Sequence, residues 1–194
     1  CEKKNKVTSI KINISKDGTV SIQNNGKGIS DKKMSNGKSQ VENAFGSLRC
    51  SSHYNNNNST NNDDNHALGQ NGLGCKLTNI CSIFFKVRTA HGTKVVTIEW
   101  KNNMSEYKIE KETIEKEEAI NIGTQVKFKP DFKFFSEKAN QKIINWSDDM
   151  ISYMYTLVVE MSSSLGNRGV NVYWNNNLIE INSLRKLADA HVTE

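Results

Sequence analysis

A chain of 194 residues, 36% of them apolar, is long enough to bury the core of one ordinary domain and short for two. No apolar run approaches the roughly 20 residues that a membrane helix needs, and Cys1-Glu2-Lys3-Lys4-Asn5 is backed by no apolar stretch, which excludes a spanning segment and a secretory signal from the expectation. The formal charge of +5 comes from 26 basic residues scattered among 21 acidic ones, which suits nucleic acid or a polyphosphate and decides for neither. Cys1, Cys50, Cys75 and Cys81 form no Cys-x-x-Cys unit and have no His at zinc-ligand spacing, so free thiols in a reducing compartment are expected.

In chain order, Val7 to Ile14 alternates, with Ile10, Ile12 and Ile14 on one face; Lys16-Asp17-Gly18 interrupts the pattern and Val20 and Ile22 resume it. The spacing predicts a β-hairpin with one buried face. Its second strand runs into Asn24-Asn25-Gly26-Lys27-Gly28, where two glycines just past a strand end predict a loop of unusual backbone. Val41, Ala44, Phe45 and Leu48 stand at i, i+3, i+4 and i+7 of a short helix. The Asn-rich stretch 55–66 is too polar to offset its ordering entropy and reads as a mobile insertion within a single domain, 1–194.

After it, Leu68-Gly69-Gln70-Asn71-Gly72-Leu73-Gly74-Cys75-Lys76-Leu77 is a glycine-spaced loop passing into a helix, an arrangement that presents unpaired backbone N–H groups at a positive helix end. Phe84 to Val87 and Lys94 to Trp100 predict a second hairpin, and Thr124 to Phe128 a further strand closed by Pro130. Trp146, Met150, Met154, Leu157, Val158, Met161 and Leu165 fall on one helical stripe, read as core, with Gly166 as the C-cap. A last hairpin joins Val170 to Trp174 with Leu178 to Ile181. The charged run Glu110-Lys111-Glu112, with Glu115 to Glu118, is expected in an exposed loop or short helix, and His66 and His91 in solvated loops.

Asn24 to Gly28 resembles the adenine box of the GHKL ATPases, the superfamily of gyrases, heat-shock chaperones, sensor kinases and mismatch-repair proteins. Its Asn-Asn-Gly-Lys-Gly is similar to the eukaryotic type IIA DNA topoisomerases, whereas most of the superfamily begins the box with Asp. In isolation an Asn-Gly pair after a strand is more often a simple turn. The phosphate loop of the same family resembles Gln70 to Ile80, continuing into Cys81-Ser82-Ile83-Phe84-Phe85, and between the two boxes Ser51-Ser52-His53-Tyr54 is similar to the family's Ser-Ser-Asn-Tyr. Three boxes in order are far more specific than one. Trp100-Lys101-Asn102-Asn103-Met104 and Gly123-Thr124-Gln125-Val126 extend the match, which covers roughly residues 7 to 190.

The resemblance implies a two-layer α/β sandwich of the GHKL, or Bergerat, type: a mostly antiparallel mixed sheet with helices on one face. It implies binding of ATP with Mg²⁺. Asn24 would read the adenine amino group through a carboxamide oxygen, Gly26 and Gly28 would let the backbone approach the base, and Thr124 would contact adenine, often through water. Ser51, Ser52 and His53 would meet ribose and α-phosphate; Gln70, Asn71, Gly72, Leu73, Gly74, Cys75 and Lys76 would bind the remaining phosphates. It implies, for the full-length enzyme, ATP-driven clamp closure and DNA strand passage by a homodimer, located in the nucleus, or in the cytoplasm if viral. Departures are Leu68 before Gly69, Gln70 for Arg, His53 for Asn and Ser30 for Pro, and they keep open a catalytically dead module, or another GHKL ATPase of chaperone or mismatch-repair type. The family's general base and metal-holding Asn lie on a helix ahead of the first hairpin and its γ-phosphate lysine on a later transducer domain. No catalytic or metal-ligating residue is therefore assigned within this chain, and the fragment alone is expected to be a monomer that hardly hydrolyses ATP.

Overall fold

The computed structural model describes residues 6–47, 72–115, 118 and 122–192. The Asn-rich stretch, Cys1, Cys50, Ser51, Ser52, His53, His66, Gln70 and Asn71 lie outside them. The first hairpin forms where the alternation places it: β1 (Ser9–Ile14) and β2 (Val20–Asn24) pair antiparallel, Ile12 opposite Ile22. Helix α1 (Gln40–Gly46) opens on a capping box in which Ser39 accepts from the Glu42 N–H (3.2 Å) and Glu42 accepts from the Ser39 N–H (2.8 Å). Helix α2 (Gly74–Ile80) leads into β3 (Ser82–His91), which turns at Gly92 into β4 (Lys94–Lys101). His91 thus ends a strand instead of standing in a loop.

The chain next reverses through Asn102, Asn103 and Met104, at φ of 50°, 59° and 68°, into β5 (Glu106–Thr113). This corrects the expectation for Glu110 to Glu112, which pair with β4 as part of an edge strand. At an edge, Tyr107 and Ile109 are enough to anchor the strand, and charges along the rim discourage pairing with other chains. β6 (Thr124–Pro130) is followed by α3 (Phe132–Ala139), capped by the Asp131 side chain and ended by left-handed Asn140. Then come α4 (Asp148–Leu165), β7 (Asn171–Trp174), β8 (Asn177–Leu178) and α5 (Leu184–Val192). The strands make one sheet in the order β5-β4-β3-β6-β2-β1-β7-β8, antiparallel except where β1 runs parallel to β7.

Register puts Ile10, Ile12, Val20, Ile22, Asn24, Thr124, Val126, Phe128, Phe85, Val87, Thr89, Val96, Ile98 and Trp100 on one face. The helices cover that face in two patches. Val41 of α1 packs with Phe85, Val87, Ile98 and Trp100, while Val158 and Val159 of α4 pack with Ile12 and Val172. The α4 stripe is a correction: Val158, Val159, Ser162 and Ser163 are buried, whereas Met150 and Leu157 are 43% and 45% exposed. Only the second half of α4 lies on the sheet, so a stripe extrapolated over the whole helix drifts off the buried side. Gly166 is the C-cap of α4, as expected, in right-handed backbone at φ −61°, and the chain continues through a 3₁₀ turn to Gly169 at φ +74°. A Cβ on Gly166 would stand 1.9 Å from the Asn182 carbonyl oxygen, which is why glycine is needed there.

Candidate functional site

At one end of the helix-covered face, three polar side chains interrupt the apolar rows. Asn24 pairs with Thr124 across β2 and β6, and Thr124 with Thr89 across β6 and β3, so all three project to the same side. Two glycines bring the backbone in around them. Gly123, at φ +54°, passes so close to β2 that a Cβ would stand 2.0 Å from the Asn24 carbonyl oxygen; Gly28, at φ +76°, approaches β3 so that a Cβ would stand 2.0 Å from the Ala90 carbonyl oxygen. The Asn24 carboxamide oxygen accepts from the Gly26 N–H (3.0 Å), which curls the loop. Asn25 holds the loop to β1, accepting from the Thr8 and Ser9 N–H groups at 2.9 Å each. Asn24, Gly26, Gly28 and Thr124 are therefore gathered at one place and half-buried.

Thr89 escaped the sequence reading. It is fully buried, and its hydroxyl accepts from the Ile29 N–H (2.9 Å), lies 2.9 Å from the Thr124 hydroxyl and 3.3 Å from the Gly123 carbonyl oxygen. The signal was present: Phe85 and Val87 set a period-two apolar row on which Thr89 is the polar member.

The glycine-spaced loop enters α2 through Gly72, at φ +57°. Leu73 gives the helix no side-chain cap, and its carbonyl takes the Lys76 and Leu77 N–H groups, the first bonds of the helix. The N–H groups of Gly74 and Cys75 consequently face out of the helix end. Among the described residues, apart from the helix's own backbone and the chain neighbours, nothing lies within 4 Å of where a Cβ on Gly74 would stand. Lys76 is 2% exposed and donates to the Gly72 carbonyl oxygen at 2.6 Å, so it closes the loop on itself instead of extending into solvent. Cys75 donates to the Ala44 carbonyl and Asn79 to the Phe45 carbonyl, both at 3.1 Å, fixing α2 beside α1. Gly72, Leu73, Gly74, Cys75 and Lys76 thus sit on the same face as the polar row. No hydrogen bond among the described residues joins the two groups.

Between the two helical patches the sheet is uncovered: Ile22, in mid-sheet on the helix side, is 40% exposed. An apolar cavity of about 560 Å³ is bounded by Thr78 and Cys81 after α2, Phe128 and Pro130 of β6, Phe132 and Phe135 of α3, and Trp146 and Met150. Among the described residues no three His, Cys, Asp or Glu side chains lie together as a metal-ion cluster would require.

No family model matches the chain. Among curated proteins it is 33% identical over 186 residues to DNA topoisomerase 2 of Invertebrate iridescent virus 6, a match covering 89% of this chain and 15% of that protein. It is 34% identical over 185 residues to DNA topoisomerase 2 of Pisum sativum, covering 93% of this chain and 12% of that protein. The chain thus spans well under a fifth of the length of these relatives. Among solved structures, the ATPase region of Saccharomyces cerevisiae topoisomerase II superposes with a TM-score of 0.77 at 27% identity, over 96% of this chain and 47% of that one. The ATPase domain of Thermus thermophilus gyrase B shares the fold at TM-score 0.66 and 18% identity. By sequence and by fold, the chain is a relative of the ATPase region of the DNA topoisomerase 2 family.

Proposed function

We propose that this chain binds ATP and forms the nucleotide-binding part of a type IIA DNA topoisomerase. The observation that carries the proposal is the Asn24–Thr124 pair, two side chains able to accept hydrogen bonds, set side by side at the glycine-lined end of an opening in the helical layer. The adenine amino group is a donor and suits two acceptors. Gly26 and Gly28 let the base approach, and Ser51, Ser52 and His53 are proposed for ribose and α-phosphate. The outward N–H groups at Gly74 and Cys75, with Gln70, Asn71, Gly72 and Leu73, are proposed for the remaining phosphates. The open space at Gly74 fits that role, because no contact among the described residues explains a glycine there. Lys76 contributes its charge either by exchanging the Gly72 carbonyl for a phosphate oxygen or by holding Gly72 in its left-handed turn. Mg²⁺ would arrive on the triphosphate.

The apolar opening over Ile22 is proposed to receive the helix that the resemblance places ahead of β1, with the general base and the Asn for Mg²⁺. In the whole protein, ATP binding would close a homodimeric clamp around DNA and drive strand passage, in the nucleus or, for a viral protein, the cytoplasm. Titration with a non-hydrolysable ATP analogue is the test. Submillimolar affinity that Asn24→Lys abolishes is the expected result. Affinity that survives Asn24→Lys would place the nucleotide elsewhere, and no binding by the wild-type chain would leave a dead module.

A further inference from the structure

The Thr124 hydroxyl lies 2.9 Å from the fully buried hydroxyl of Thr89. Thr89 has one hydroxyl proton and room to accept two hydrogen bonds. One acceptor position is taken by the Ile29 N–H at 2.9 Å. The Gly123 carbonyl oxygen, 3.3 Å away, can take the proton, and the Thr124 hydroxyl, 2.9 Å away, can fill the second acceptor position. This arrangement uses every close contact of the fully buried hydroxyl at once, two bonds accepted and one donated. The reverse, Thr89 donating to Thr124, uses one contact fewer, and the Gly123 carbonyl oxygen then keeps only the Ala90 N–H at 2.9 Å. In the saturated arrangement the Thr124 proton points inward at Thr89, and what Thr124 offers to the opening is lone pairs alone.

We infer that Thr89 is a positioning residue that makes Thr124 an obligate acceptor and so selects a 6-amino purine at this site. The inference rests on the ATP reading above and deepens it. A 6-amino group, or a water bonded to it, donates to Thr124. A purine with hydrogen at that position gives nothing, and the 6-oxo group of guanine presents an acceptor to an acceptor. Thr89 also holds the Ile29 N–H, so the loop that carries Gly28 and the hydroxyl that reads the base are fixed by the same oxygen.

The experiment compares the affinities of two β,γ-imido triphosphates, that of adenosine and that of purine riboside, which lacks the amino group. Wild type should favour the adenosine compound by about a hundredfold, the size of two net hydrogen bonds, one to Asn24 and one to Thr124. Thr89→Ser, which keeps the hydroxyl, should retain the preference, and Thr89→Val should cut it to about tenfold, the share of Asn24. A purely structural role for Thr89 would weaken both compounds equally and leave the ratio alone; that outcome overturns the inference, as does loss of the ratio in Thr89→Ser. Thr124→Val supplies a test that does not depend on how Thr89→Val folds, since a preference undiminished from wild type in that variant also overturns the inference. Wild type binding neither compound would remove the ATP reading itself, whereas a wild-type preference that Thr89→Val leaves unchanged would remove the Thr89 inference and leave that reading intact.

Discussion

Gly28 and Gly74 are glycines for opposite reasons. At Gly28 a side chain is forbidden by the chain itself, through a left-handed φ and the Ala90 carbonyl oxygen 2.0 Å from any Cβ. Gly28→Ala should therefore destabilise the fold, by about 1–3 kcal/mol from the backbone strain alone, and thermal unfolding should register a clear fall in melting temperature; an unchanged melt would mean the approach to β3 is not rigid. At Gly74 nothing among the described residues beyond its own helix stands near, and alanine is the better helix former by up to about 1 kcal/mol. Gly74→Ala is expected to leave the melting temperature equal or higher while lowering affinity for the ATP analogue. A loss of stability, or no change in affinity, would separate this position from phosphate binding. Sequence spacing pointed to both glycines without distinguishing them, because the difference lies in what other strands bring close. The same holds for Thr89, whose place in the row is legible in its own strand but whose partners arrive from residues 29, 123 and 124.

Elements whose two faces differ in polarity were legible. β1, β2, β3, β4, β6 and the start of α2 are where alternation, helical spacing and glycines place them. Elements that bury little were not. β5 meets the core with Tyr107 and Ile109, α3 and α5 have no fully buried side chain, and half of α4 lies off the sheet. In each, little of the element is buried, so its place in the fold is not fixed by packing of one face. Local chemistry supplies what burial does not. The capping box makes Ser39→Ala a loss of about 1 kcal/mol, detectable in denaturant titration as an earlier midpoint with an unchanged slope, whereas a changed slope would point to a wider loss of structure.

The turn between β1 and β2 adds a pH dependence. The Thr19 N–H holds the Asp17 carboxyl below its ordinary pKa, helped by the Thr19 hydroxyl and the Lys129 ammonium. A carboxyl whose folded pKa is depressed stabilises the fold above its unfolded pKa and loses that contribution as the pH falls through the folded value. Asp17→Asn should thus melt below wild type at neutral pH, and the gap should close on acidification. A gap that is constant with pH would show that Asp17 acts through shape and not charge. Asp17 is solvent-exposed, so the gap will be small.

At the scale of the molecule, two helical patches on one sheet face leave Ile22 of the middle strand β2 40% exposed between them. The sequence could tell that helices cover a mostly antiparallel sheet, but not that the cover would be split, since each helix reports its own face and not its neighbours. The apolar opening over Ile22 should bind a hydrophobic dye, and a longer version of the protein that includes the helix expected ahead of β1 should bind it less and melt higher. If both forms behaved alike, the opening would not be where that helix packs.

The parallel pairing of β1 with β7 has a consequence for how the chain is made. The Ile14 N–H bonds to the side chain of Asn175, 161 positions away, and the Asn171 N–H reaches the Thr8 carbonyl. Emerging from the ribosome, the opening hairpin therefore has one flank unpaired until nearly all of these residues have been synthesised. Closure over such separations is slow, and an uncovered strand edge invites association with other chains in the meantime. Release of an incomplete chain short of Trp174 would leave that edge permanently bare, and such products should accumulate as aggregates and not as smaller folded domains.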